Sequence, residues 1–158
     1  MIQQPWLPMI MGLVGTLLFF LIVSVLTRTF PPSKPETVGL RDNSLQNCGS
    51  KPNCVCSLQN DSVHGIAPFQ IRENVNSSME RLSKIIQTMS GSRIISNQEG
   101  YLYAEFKTPF FGFIDDVEFH LNESANRIEV RSASRLGYSD LGLNRSRLES
   151  IRKKYLAN

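Results

Sequence analysis

The first 27 residues contain no ionisable side chain, and from Met9 to Leu26 the only polar side chains are Thr16 and Ser24. The run Trp6 to Phe30, WLPMIMGLVGTLLFFLIVSVLTRTF, leaves the chain few choices. In hydrocarbon every backbone N–H and C=O must find a partner within its own segment, which dictates a helix. About 20 apolar residues suffice to cross a bilayer core, and this run is that long. It is apolar on every face rather than along one stripe, unlike the core helix of a globular domain. Trp6 stands where an interfacial aromatic belongs, and Arg28 closes the run. A cleaved signal peptide would carry Lys or Arg before the run and a small-residue site after it. MIQQPW has no base, no A-x-A follows, and no cysteine stands where a lipoprotein signal needs one. Residues 1–30 therefore read as a permanent single-pass transmembrane anchor.

Phe30-Pro31-Pro32-Ser33-Lys34-Pro35 cannot continue a helix, because its prolines lack N–H donors and disfavour helical backbone before them. Residues 31–45 read as an extended stalk, and 46–158 as one modest domain. Within it, residues 77–90 carry the clearest helical period, with Met79, Leu82, Ile86 and Met89 on one face. Ser77 with Glu80 predicts a capping box, and Gly91 a left-handed stop. Arg93–Ser96 is a short strand candidate. Tyr101–Lys107 alternates, placing Leu102, Ala104 and Phe106 on one face. Phe113, Asp115, Val117, Phe119 and Leu121 share a face opposite Ile114, Asp116, Glu118 and His120. Arg127–Ser134 alternates again. A last helix starts near Asn144, with Leu148, Ile151 and Tyr155 on its buried face. Successive strands with short connections predict an antiparallel meander. The fold class is α+β: an N-terminal single transmembrane helix plus a two-layer domain of antiparallel sheet with helices on one face.

Charge is unevenly placed. Glu99–Glu129 holds seven acids and two bases, and Arg131–Asn158 seven bases and two acids. Asp115, Asp116 and Glu118 can therefore meet Arg131 and Arg135 across neighbouring strands. If exposed, each such pair is worth only about 0–1 kcal/mol. Because the chain supplies its own counterions, and its net charge is only +3, a nucleic-acid partner is not expected.

Three groups of residues could carry function. Cys48 and Cys54 enclose a tight loop suited to a disulfide in an oxidising compartment, with Cys56 left over; free thiols and, with His64 and His120, a metal are the alternatives. C-x5-C-x-C is not a recognised zinc spacing, so no metal and no cofactor is expected. Arg131, Ser132, Ser134, Arg135, Asp140, Asn144 and Arg145 form a second group. They read either as an anion or partner site at a helix N-terminus or as a strand-to-helix corner with tight turns at Gly137 and Gly142. A catalytic set of Ser132 or Ser134 with His120 and Asp115 or Asp116 lacks a nucleophile-elbow motif, and His120 and Asp115 fall on opposite faces. Third, Phe110, Phe111 and Phe113 are either a membrane or partner contact or core at a strand start.

Two strings go further than pattern. Cys48-Gly49-Ser50-Lys51-Pro52-Asn53-Cys54-Val55-Cys56-Ser57 resembles the PNCVSS signature of the DUF1499 family, with Cys56 where the signature has serine. Thr108-Pro109-Phe110-Phe111-Gly112, Phe113–Phe119 and the string RSASRLGYSDLGLNR from Arg131 to Arg145 look like its other hallmarks. The resemblance spans Cys48 to Ile151. It implies an exported, membrane-anchored or organellar protein and no established reaction. Arg28, Lys34 and Arg41 after the anchor favour a cytoplasmic domain, whereas the cysteine loop and the resemblance favour the opposite side. We take the second, with the anchor in an inner membrane. The expected function is that of a non-enzymatic envelope or membrane-complex component, binding a protein partner or anionic lipid near the membrane. The alternative is an enzyme acting on an anionic or lipid substrate at the Arg131–Asn144 corner.

Overall fold

A computed structural model describes residues 6–157. It begins with α1 (Leu7–Thr29), followed by β1 (Cys54–Cys56), β2 (Phe69–Gln70), α2 (Val75–Gln87), β3 (Ser92–Gln98), β4 (Tyr101–Lys107), β5 (Ile114–Asn122), β6 (Arg127–Ser134) and α3 (Leu143–Leu156). α1 is long and apolar enough to cross a membrane, and its large apolar side chains are exposed along its length. Thr16 folds its hydroxyl onto the carbonyl of Gly12 at 2.9 Å, satisfying the polar group within the helix.

β3 to β6 form an antiparallel meander in the sheet order β1-β6-β5-β4-β3, with β2 also paired to β6. Alternation decides what each face holds. Leu102, Ala104 and Phe106 of β4, Val117 and Phe119 of β5, and Ile128 and Val130 of β6 all enter one core. α2 covers that face with Met79, Leu82 and Ile86, and α3 with Leu148, Ile151 and Tyr155. Phe69 of β2 locks the layers, its ring centroid 5.4 Å from Phe119 and 5.5 Å from Tyr155. This is the two-layer α+β arrangement expected. β1 and β2 lie in the stretch before α2, where the sequence carries no strand signal. They are too short to show alternation and exist because β6 offers them a free edge, with Cys54 facing Ala133 and Phe69 facing Ile128.

α2 starts earlier than its sequence signal. Its cap is Asn74, whose side chain accepts from the Ser77 amide at 2.9 Å, and the Ser77–Glu80 capping box does not form. Glu80 pairs instead with Lys84 on the wet side. Gly91 does supply the turn after α2: its φ is +75°, and a Cβ there would lie 2.3 Å from the Lys107 carbonyl oxygen.

The second face of the sheet is not open. Residues 31–45 run across it, burying Val38 and Leu45 and placing the Gly39 amide 2.7 Å from Glu118 Oε1. Asp116, Glu118 and Arg131 on that face are buried.

Asn74→Ala should destabilise the domain by about 1 kcal/mol, the usual cost of losing a cap, while Glu80→Ala should leave stability almost unchanged. Thermal unfolding followed by far-ultraviolet circular dichroism separates the two, and equal losses would restore the capping box.

Candidate functional site

The covered face carries a network of buried carboxylates and guanidinium groups. Glu118 and Arg131 are direct ladder partners, and Nη1 donates to Oε2 at 3.0 Å. Glu118 also accepts from the Tyr101 hydroxyl at 2.8 Å. Burial holds its carboxyl above the ordinary carboxylate range, against the pull of these donors. Arg135 grips Asp116, with Nη2 2.7 Å from Oδ1 and Nε 3.0 Å from Oδ2, and also reaches Glu105. Its Nη1 donates to the Pro32 carbonyl at 2.9 Å. The bond to Asp116 pushes the Arg135 guanidinium further above its ordinary range. Tyr103 donates to Asp116 at 2.7 Å, and burial, aided by that bond, raises its phenol.

On the core face the same strands build a second polar cluster. Ser132 donates to Asn144 Oδ1 at 2.5 Å, and Asn144 Nδ2 donates to Ser134 Oγ and to the Asn53 carbonyl, both at 3.0 Å. Arg147 reaches across to Asp115 Oδ2 at 2.5 Å and to Asn144 Oδ1 at 2.7 Å. Asp115 was expected to meet Arg131 or Arg135. It faces the helices instead and takes Arg147, because adjacent strand residues point to opposite faces.

The Arg131–Arg145 string is thus divided among destinations. Arg131 and Arg135 serve the covered face, while Ser132, Ser134 and Asn144 form the core cluster. Asp140 accepts from the amides of Gly142 at 3.0 Å and Asn144 at 2.7 Å, occupying the start of α3 with the chain's own carboxylate. Arg145 donates to the carbonyls of Gly65 at 2.7 Å and Val63 at 3.0 Å. His120 pairs across the ladder with Glu129, and Ser132 with Val117, so the serine and the histidine are not brought together. Arg147 was missed. Its signal was present: Asn144, Arg147, Leu148, Ile151 and Tyr155 share one helical face, and a charge in such a face needs a buried partner.

The third group meets α1. In the loop from Thr108 to Phe113, the carbonyl of Pro109 accepts from Arg28 at 2.5 Å, that of Phe110 from Ser24 at 2.6 Å, and that of Phe111 from Thr27. The Phe111 ring stacks on Phe113 and tilts against Phe20 at 5.8 Å. Phe20 lies eight residues before Arg28 in α1, about 12 Å further along the helix axis. The approach depends on Gly112: its φ is +68°, and a Cβ there would come within 2.9 Å of Arg28 Cγ. The Phe110 side chain is left 80% exposed. Beside this loop runs a groove of about 410 Å³ between the end of α2 and α3, lined by Lys107, Pro109, Leu143, Ser146, Ser150 and Lys154. A larger depression, about 740 Å³ around His120 and Glu123, lies at the opposite end of the sheet.

Cys48 and Cys54 are joined in a disulfide, and Cys56 is a free, buried thiol whose pKa burial raises above the ordinary thiol value.

At neutral pH, Glu118→Gln should destabilise the domain by about 3 kcal/mol, because it strands the Arg131 charge in the interior. Glu118→Leu with Arg131→Met should recover most of that loss. Urea unfolding of the detergent-solubilised chain measures both, and a wild-type midpoint for Glu118→Gln would refute a contribution from the pair. Without reductant, a maleimide should label the chain once in denaturant and not at all when folded; rapid labelling of the folded chain would mean that Cys56 is accessible.

No curated protein and no solved structure matches the chain. The family described as "Protein of unknown function (DUF1499)" matches residues 44–155, from just before the disulfide loop to the last turn of α3. That match covers well over half of the chain and all of the sheet, and the chain belongs to the DUF1499 family.

Proposed function

We propose that this protein is a single-pass membrane protein whose α+β domain lies directly on the bilayer surface, and that it works without catalysis by holding an anionic lipid there. The observation that carries this reading is the set of bonds between the 108–113 loop and the last turns of α1. Three consecutive carbonyls of that loop accept from Arg28, Ser24 and Thr27. With α1 in a bilayer, they bring Phe110 to the interfacial layer, where an exposed aromatic gains from burial.

The adjoining groove suits an acidic headgroup. Lys107 and Lys154 supply positive charge, Ser146 and Ser150 supply hydroxyls, and Leu143 supplies an apolar wall. Phosphate oxygens accept from such donors, and low-dielectric surroundings strengthen the attraction. An enzyme working at the Arg131–Asn144 corner would need free guanidinium groups. Arg131 and Arg135 spend theirs on Glu118, Asp116 and Glu105, so binding is the better reading. The Cys48–Cys54 disulfide supports a domain on the oxidising side of the membrane, outside the cytoplasm.

The test is native mass spectrometry of the full chain released from nanodiscs containing phosphatidylcholine and phosphatidylglycerol. Wild type should retain phosphatidylglycerol. Lys107→Glu with Lys154→Glu should lose at least about tenfold in retained lipid, taking about 1 kcal/mol for each basic residue. A wild-type chain that emerges free of lipid, or a variant that retains as much, would refute the groove as a lipid site.

A further inference from the structure

The end of the sheet that meets α1 carries a second loop. Residues 135–142 connect β6 to α3 and leave from Ser134, which pairs with Asp115; loop 108–113 enters β5 one residue earlier, at Ile114. Arg135 donates both to the Ile114 carbonyl, through its amide at 3.0 Å, and to that of Pro32, three residues past α1. Both loops therefore sit at the sheet end where the chain leaves its anchor.

The loop is held in place by its polar groups. Asn53 Nδ2 donates to the Gly137 carbonyl at 2.9 Å, the Leu141 amide to Ser139 Oγ at 3.2 Å, and the Gly142 and Asn144 amides to Asp140. What it turns outward is apolar: Leu136 and Leu143 are exposed, Tyr138 is 72% exposed and Leu141 is 97% exposed. Leu141 also has φ +55°, a left-handed backbone that costs a leucine and that asparagine adopts more readily. In water this arrangement loses twice, by strain and by exposure.

We propose that the 136–143 loop is a second bilayer-contact surface, in which Leu136, Tyr138 and Leu141 enter the interfacial layer alongside Phe110. The occupant is the bilayer because the loop shares its sheet end with the anchor. Phe30, at the end of α1, and Phe110 are also exposed. Tyr138 has the apolar body and polar tip that suit a membrane–water boundary. Arg28, Lys34 and Lys107, close to that end in the chain, suit the phosphate layer beyond it. The proposal rests on the domain lying on the bilayer, as inferred above, and adds which hallmark residues of the family string meet it.

The experiment uses the full chain, one copy per nanodisc, carrying Leu141→Cys, Tyr138→Cys, Phe110→Cys or Ala125→Cys labelled with an environment-sensitive nitrobenzoxadiazole. Cys56 is buried, and Ala125 is exposed in the turn at the opposite end of the sheet. Quenching by lipids carrying a doxyl group should remove emission at 141, 138 and 110 and spare 125. Quenching at 110 without quenching at 138 and 141 would overturn this proposal and leave the surface-lying domain intact. No quenching at any of the three would overturn both. Blue-shifted emission at 141 that doxyl lipid does not quench would assign the loop to a protein contact and overturn the bilayer. Leu141→Asn, which suits the backbone, should keep or raise the unfolding midpoint while reducing quenching at 138; unchanged quenching would remove Leu141 from the contact.

Discussion

Three carboxylates on one strand, Asp115, Asp116 and Glu118, need cationic partners in places where water cannot serve them, and most of the domain's geometry follows from meeting that need. Asp116 and Glu118 point to one face of β5 and Asp115 to the other. Arg135 and Arg131 answer the first two from β6 and its exit, and Arg147 answers the third from α3. A slip of one residue between β5 and β6 would turn each carboxylate away from its guanidinium group and turn Val117 and Phe119 out of the core. Charge and apolar burial thus select the same register. The same constraint ties α3 to the sheet, because the Asp115–Arg147 pair is buried between them.

Burial of the outer network requires a cover, and the cover is the segment that follows α1. Pro32 and Gly39 contribute backbone groups to Arg135 and Glu118, so the chain between α1 and the sheet is part of the domain's polar accounting. That attachment keeps the sheet end near the end of α1, where the 108–113 loop makes its own bonds to Ser24, Thr27 and Arg28. The domain therefore has two attachments to α1 rather than one flexible leash. The groove beside Pro109 and the apolar 136–143 loop lie at the same end of the sheet as these attachments.

Much of this was legible in local pattern. The strands β4, β5 and β6 and both soluble helices follow from period and alternation, since side-chain direction in a strand or helix is set by the backbone itself. That acids of β5 meet Arg131 and Arg135 was also readable, from opposite charge on neighbouring strands, but not which acid takes which arginine. Other features were not. The true cap of α2, Asn74, sits three residues ahead of a more familiar Ser–Glu pattern, and geometry chose between them. Cys54–Cys56 and Phe69–Gln70 are strands only because β6 has an edge to offer. The RSASR…GYSDLGLNR string read either as one site or as one strand-to-helix corner, and alternation sent its residues to different faces.

The amino-acid order by itself determined an apolar helix long enough for a bilayer, a meander of alternating strands, an α+β class and a family, because each depends on spacing along the chain or on matching residues. Only the tertiary structure decided that residues 31–45 cover the sheet, that Asp115 belongs to Arg147, that the Phe110 loop meets α1, and that Leu141 stands out at the sheet end nearest the anchor. Those outcomes depend on contacts between residues 32 to 103 positions apart, and partners so distant are chosen by packing and by the cost of an unpaired buried charge, which no local pattern records.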